Sequence, residues 1–240
     1  MTQQNSLLPV VILAGGLATR LRPITETIPK ALVDVAGKPF IAWQLEYLAA
    51  QGVRDVVLCV GYLGELILEV IGNGERFGLR VQYSFDGAKL LGTGGAIKKA
   101  LPLMGESCFV LYGDSYLPIN FSSVQRAYIE SGLSALMTVL KNSNQWDKSN
   151  VIFVDGKLVE YNKREPRPDM TYIDYGLGVV SASVFDSYPN NESFDLADVY
   201  QNLSQQGHLA GFEVHQRFYE IGSHGGLKET EDYFLTKEKL

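Results

Sequence analysis

Val10-Val11-Ile12-Leu13-Ala14-Gly15-Gly16-Leu17-Ala18-Thr19-Arg20-Leu21-Arg22-Pro23-Ile24-Thr25, followed after two residues by Ile28-Pro29-Lys30, is the stretch from which the rest of the chain is read. A continuous apolar run ending in paired glycines predicts a buried strand that feeds a tight loop. Gly15 and Gly16 accept positive φ and let a ligand approach the backbone, so several N–H groups can converge on one anion. Arg20, Arg22 and Lys30 lie in or just beyond the loop, where a polyphosphate needs cations. The pattern implies a grip for a nucleoside triphosphate.

Working outward, Pro39 to Ala50 predicts a helix, with Pro39 in its first turn, Ile41, Leu45 and Leu48 at helical spacing and Gly52 ending it. Val53 to Val60 reads as a buried strand, Leu63 to Ile71 as a helix and Leu79 to Phe85 as a further strand. Strand and helix alternating at this spacing predict a parallel, doubly wound sheet, with the ligand loops gathered at the carboxyl ends of its strands. Leu91-Gly92-Thr93-Gly94-Gly95-Ala96-Ile97 opens a helix to about Leu103, and the residues alone fit either a threonine-capped turn or a ligand loop. Ser107 to Tyr112 predicts a strand that delivers Gly113-Asp114 at its end. A carboxylate there suits Mg²⁺ beside phosphates, or caps the following turn.

The second half is less regular, which suggests a substrate-binding portion. Phe121 to Glu130 reads as a helix and Leu133 to Leu140 as a strand. Val151 to Val154 and Leu158 to Tyr161 flank the hairpin signal Asp155-Gly156. Asn162-Lys163-Arg164-Glu165-Pro166 has the composition of a solvated loop, and Asp174 that of an edge-strand carboxylate. Ser193 to Gln206 reads as a helix capped by Asp195, and a last helix starts from Gly226. His208, His215 and His224 lack metal-ligand spacing and read as surface or turn residues.

Composition bounds the class. A chain of 240 residues, 46% apolar and 20% charged, suits one α/β domain with a sizeable core. A net charge of −6 argues against a nucleic-acid polymer or an anionic membrane as partner. Cys59 and Cys108 fall in apolar runs and read as reduced core residues of a cytoplasmic protein. Met1 to Leu8 lacks the pattern of a signal peptide, and no apolar run approaches the about 20 residues that span a bilayer.

Leu13 to Gly16, Thr19 to Leu21, Pro23, Thr25, Pro29-Lys30, Val35 and Lys38-Pro39 together resemble the signature of the sugar-1-phosphate nucleotidylyltransferases, LAGG-x-G-T-R-L-x-P-L-T, then P-K and V-x-x-K-P. The resemblance runs from Val10 to about Phe234. It implies an α/β fold of the nucleotide-diphospho-sugar transferase type, a Rossmann-like, doubly wound, mostly parallel but mixed central sheet in a single domain. About 9–116 would be the nucleotide-binding half and about 117–240 the sugar-phosphate-binding half. It further implies an NTP and a sugar 1-phosphate as partners, with NDP-sugar and pyrophosphate as products. Leu13, Ala14, Gly15, Gly16, Thr19, Arg20, Lys30, Gly92, Thr93 and Gly94 would bind the nucleotide, with Asp86 reading the base. Arg20, Lys30 and Lys163 would be catalytic, and Asn162, Lys163, Asp174 and Gly176 would meet the sugar phosphate. Asp114 and Glu220 would hold Mg²⁺, Glu220 through the Y-E-I-G-S version of a W-x-D-I-G-T ending. A homo-oligomer stays open, and no hexapeptide-repeat extension is expected.

Three departures bear on the site. Ala18 stands where the family usually has a third glycine, so its methyl requires a negative φ or an altered turn. Asn162 replaces a glutamate that contacts sugar hydroxyls in relatives. Glu220 replaces an aspartate, and its extra methylene shifts the oxygens by about one bond against a Mg–O distance of about 2.1 Å. Either the backbone is set back or the ion is held through water. Overall the motifs look most like the heptose- and mannose-1-phosphate guanylyltransferase branch, with uridine- or thymidine-dependent enzymes acting on glucose or N-acetylmuramate 1-phosphate as the alternative. A non-catalytic nucleotide-sugar sensor rests on Ala18 and Glu220 alone. Neither the dehydrogenase G-x-G-x-x-G spacing nor a P-loop is present.

Overall fold

Alternation decides the layers. In a computed structural model that describes residues 6–237, β1 (Val10–Leu13) turns Val10 and Ile12 to one face and Val11 to the other. The chain continues through β2 (Asp34–Val35), β3 (Lys38–Pro39), α1 (Phe40–Gln51), β4 (Asp55–Val60), α2 (Gly64–Ile71) and β5 (Arg80–Phe85). Next come α3 (Gly92–Ala100), β6 (Ser107–Tyr112), β7 (Ser115–Tyr116), α4 (Phe121–Ser131) and β8 (Ala135–Lys141). It ends with β9 (Val151–Val154), β10 (Lys157–Tyr161), β11 (Tyr172–Ser181), α5 (Leu196–Gln205), β12 (Leu209–Val214), β13 (Tyr219–Glu220) and α6 (His224–Lys237). The stretch 1–5, part of the segment read above for a signal peptide, lies outside the described residues.

Among the described residues one nine-stranded sheet runs in the order β10-β9-β11-β6-β1-β4-β5, with β8 paired to β11 and β12 to β8. The β1–β4, β1–β6, β4–β5 and β8–β12 pairs are parallel, whereas β11 runs antiparallel to β6 and β8. The sheet is therefore the mixed, mostly parallel central sheet expected of the fold. Helices α1, α2 and α4 cover the face that carries Val10, Ile12, Leu58 and Phe109. Helices α3 and α5 cover the face that carries Val11, Cys59, Cys108 and Val110. A smaller core of Val35, Phe40, Trp43, Tyr116 and Phe234 docks α6 beside α1. Both cysteines are free and buried. Among the described residues no helix is long and apolar enough to cross a membrane.

Several boundaries differ from the sequence reading for local reasons. Pro39 precedes α1 in extended conformation, since its ψ of 136 belongs to the short β3 strand. Helix α3 stops at Ala100 and gives way to a 3-10 turn at Leu101–Leu103, where Pro102 supplies no N–H. Asp195 caps α5 as expected, its Oδ1 accepting from Ala197 N at 2.9 Å, so the helix proper starts at Leu196. The β9–β10 hairpin turns on Asp155 and Gly156, both at positive φ as the Asp-Gly signal requires.

Two features aim the functional segments. Gly113 N donates to Leu13 O at 3.0 Å, and a Cβ at Gly113 would lie 2.6 Å from that oxygen. Only glycine lets the β1 and β6 loops press together there. Strand β11 shifts register against β8 between Asp174 and Gly178, a bulge that redirects the residues between them.

Candidate active site

Two neighbouring cavities open at the carboxyl ends of the parallel strands, and they share Tyr112 and Asp114. The first is bordered by Leu13, Ala14, Gly15, Gly16, Ala18 and Lys30 from the opening stretch, and by Asp86, Gly92 and Thr93 from the second loop. Its walls combine loop backbone and apolar groups with the charged residues Lys30, Asp86 and Asp114. The second is polar, bordered by Arg20, Ser115, Asn150, Lys163, Asp174, Gly176 and Glu220. Asp114 stands at the junction, where Lys30 Nζ meets its Oδ2 at 2.7 Å and Ser115 Oγ donates to its Oδ1 at 3.2 Å.

Ala18 takes φ 48 and ψ 42, so the negative φ is not adopted and the methyl is carried in the left-handed region the family glycine would favour. The turn is held from behind: buried Thr25 donates through Oγ1 to Ala18 O at 2.8 Å, and Leu21 N donates to the same oxygen at 3.1 Å. Thr19 opens the 3-10 turn Thr19–Leu21, which sends Arg20 toward the second cavity.

Strand pairing brings Glu220 to Asp114. Glu220 lies opposite Ser115 in the β7–β13 ladder, and Ile221 N donates to Asp114 O at 2.9 Å. The Glu220 carboxylate accepts from Gly222 N at 2.5 Å and from Ser223 Oγ at 3.2 Å. A Cβ at Gly222 would lie 2.3 Å from Glu220 Oε2, 3.0 Å from Arg20 Nη2 and 3.5 Å from Asp114 Oδ2. Both carboxylates and the guanidinium therefore surround one point. Among the described residues no group of three or more His, Cys, Asp or Glu side chains gathers in a metal-binding arrangement.

At the second cavity, the charged loop is anchored so that Lys163 faces the cleft. Arg164 forks onto Asp198 at 2.8 and 2.6 Å, and Arg167 forks onto Glu160 at 2.6 and 2.7 Å. Asn162 turns the other way: it is buried, and its Oδ1 accepts from Glu165 N at 2.9 Å to shape the loop rather than border the cavity. Asp174 Oδ1 accepts from Gly176 N at 2.9 Å, and Asp174 N donates to Asn150 Oδ1 at 2.9 Å. Burial pushes the Asp174 carboxyl up to about 6, against the opposing pull of the Gly176 N–H and the Lys163 charge. Burial also raises Asp86, whose Oδ2 accepts from Leu91 N at 3.1 Å.

Residues 9–154 match the family described as Nucleotidyl transferase. The chain belongs to the nucleotidyl transferases.

This nucleotidyl transferase is 32% identical over 192 residues to the D-glycero-alpha-D-manno-heptose 1-phosphate guanylyltransferase of Campylobacter jejuni, which covers 80% of this chain and 84% of the relative. It is 30% identical over 228 residues to the N-acetylmuramate alpha-1-phosphate uridylyltransferase of Neisseria meningitidis, covering 92% and 96%. The crystal structure of HddC from Yersinia pseudotuberculosis complexed with GMP-PN superposes with a TM-score of 0.78 at 26% identity, covering 95% of this chain and all of that one.

Some residues of the nucleotidyl transferase cleft carry no local signal. Trp146 and Asn150 border the second cavity, yet each lies in a segment without a motif of its own, whereas Phe218, also at that cavity, opens the ending that carries Glu220. Cys59, read as core, is buried and forms part of the first cavity's wall. Gly94 borders neither cavity, because it is packed against the Phe194 ring, which a Cβ would meet at 2.4 Å. Thr93 Oγ1 both donates to Asp195 Oδ1 at 2.7 Å and accepts from Leu196 N at 2.8 Å, joining the starts of α3 and α5.

Proposed function

We propose that this nucleotidyl transferase converts an NTP and a sugar 1-phosphate into an NDP-sugar and pyrophosphate by direct in-line displacement. The observation that carries the reading is Asp114 at the junction of two cavities, one framed by the glycine loop and the other by Lys163 and Asp174. The glycine-loop amides, Thr19 and Lys30 would bind and orient the triphosphate, and Arg20, at the second cavity beside Asp114 and Glu220, would neutralise charge on the reacting phosphates. Lys163 would hold the phosphate of the second substrate, with Asp174 and the Gly176 segment against its sugar. A phosphate oxygen of the sugar 1-phosphate attacks the α-phosphorus as the bond to the pyrophosphate oxygen breaks. That oxygen is already anionic, so no protein nucleophile is needed, and positioning with charge neutralisation supplies the catalysis.

Asp114 and Glu220 fit Mg²⁺, which takes one or two carboxylates and leaves its other positions to phosphates and water. Their oxygens flank the same point at Gly222. When bound there, Mg²⁺ neutralises charge on the phosphates.

For the base we infer guanine, with a heptose or mannose 1-phosphate as acceptor. Guanine presents two N–H donors on one edge, and the Asp86 carboxylate at the first cavity is an acceptor of matching kind. A second reading, UTP or dTTP with a glucose or N-acetylmuramate 1-phosphate, is favoured by the 92% coverage of the uridylyltransferase relative. Pyrophosphate release from each common NTP against a panel of sugar 1-phosphates, with and without Mg²⁺, tests all of these. Absence of release with every pair would favour a non-catalytic sensor.

A further inference from the structure

Helix α1 presents Gln44, Tyr47 and Gln51 at spacings of three and four residues, which puts them in one row. All three bond to the stretch 112–121, which carries Asp114. Gln44 Nε2 donates to Tyr112 O at 3.0 Å and to Ser115 O at 2.8 Å. Tyr47 Oη donates to Ile119 O at 2.9 Å, and Gln51 Oε1 accepts from Phe121 N at 3.1 Å. The row splints the segment along its length.

Gln44 differs from the other two because its contacts bracket Gly113-Asp114 on both sides. Its side chain is buried, only 2% exposed. Both amide hydrogens are used on the two carbonyls, while its Oε1 has no partner among the described residues. The amide cannot be turned over, since its oxygen would then face two carbonyl oxygens. A buried polar group with one end unpaired is unexpected in an ordinary core position.

We propose that Gln44 is a positioning residue that fixes the turn 112–115 and thereby aims the Asp114 carboxylate at the junction of the two cavities. This rests on the reading of Asp114 as a metal ligand. The backbone of Asp114 is already tied on its other side by Ile221 N, so Gln44 supplies the restraint from the helix side. Without it, the Tyr112 and Ser115 carbonyls are left seeking other donors, and the turn relaxes.

The test compares Gln44→Met, Gln44→Glu, Gln51→Met and Asp114→Asn with the unmodified full chain. Gln44→Glu keeps the shape but, when ionised, offers only acceptors to two carbonyls, so it reads the same interaction if Gln44→Met does not fold. Mn²⁺ binding is measured by paramagnetic resonance with GTP or UTP present and no sugar phosphate, alongside kcat and the NTP KM. Both Gln44 variants are expected to weaken Mn²⁺ binding about tenfold or more and to lower kcat to match, the scale seen when partners of metal ligands are lost, with the NTP KM changed less than about twofold. Gln51→Met, at the far end of the row, should lower thermal stability while leaving Mn²⁺ binding unchanged. Unchanged Mn²⁺ binding in the Gln44 variants, with weakened binding in Asp114→Asn, would overturn the role of Gln44 alone. Equal weakening in Gln51→Met would reduce Gln44 to general support and overturn it too. Unchanged binding in Asp114→Asn would overturn the metal-ligand reading and the inference with it.

Discussion

Asp174→Asn is expected to make the protein more stable and a poorer catalyst at the same time. The carboxylate is held at the second cavity by the Gly176 N–H, and burial lifts it from 3.8 to about 6. A raised folded-state value means that the native protein binds the proton more tightly than the unfolded chain. Stability therefore falls as pH rises from about 4 to about 6 and then levels off. At about 1.4 kcal/mol per pH unit, the penalty above pH 7 is about 3 kcal/mol. Asparagine keeps an Oδ1 for Gly176 N and removes the charge. Urea unfolding of both proteins at pH 8 should show the variant ahead by on the order of 2–3 kcal/mol, and at pH 4 the gap should close. With pyrophosphate release as the assay, the KM for the sugar 1-phosphate should rise while the NTP KM stays near its original value. Parallel stability curves for the two proteins from pH 4 to pH 8 would refute the argument, because they would show that the charge at Asp174 is not penalised by the fold.

Lys30→Ala should mainly impair use of the NTP, and Lys163→Ala use of the sugar 1-phosphate, because the two lysines border different cavities. Steady-state kinetics with each substrate varied checks this, and a rise in the NTP KM alone for Lys163→Ala would undo the division. Glu220→Gln should lose at least about tenfold in rate and need more Mg²⁺, while Glu220→Asp, with an arm shorter by about 1.5 Å, should also be impaired. An unchanged rate and Mg²⁺ requirement in Glu220→Gln would remove Glu220 from the metal site. Gly113→Ala should destabilise the fold by about 1–3 kcal/mol, since its Cβ would meet Leu13 O at 2.6 Å, and a thermal melt matching the unmodified protein would show that the two loops separate without cost.

The sequence alone determined the parts whose cause is local. The apolar run Val10 to Leu13 with its glycine pair, the Gly113-Asp114 strand end, the Asp155-Gly156 hairpin and the Asp195 cap each follow from periodicity, turn chemistry or capping within a few residues. The same local order, strand and helix by turns, determined a doubly wound sheet for the first half. Tertiary structure decided what those parts meet. The β11 bulge that places Asp174 and Gly176 and the β7–β13 pairing that carries Glu220 to Asp114 depend on strand registers set between segments distant in sequence. Ala18 illustrates the boundary between the two. Contact between Cβ and the backbone disfavours a methyl in the left-handed region, yet the chain adopts φ 48 there, where buried Thr25 and the 3-10 turn hold the carbonyl. Gln44 shows the same thing from the helix side. Its row with Tyr47 and Gln51 follows helical spacing, but the strand end packed against it supplies the two carbonyls that account for a buried amide there.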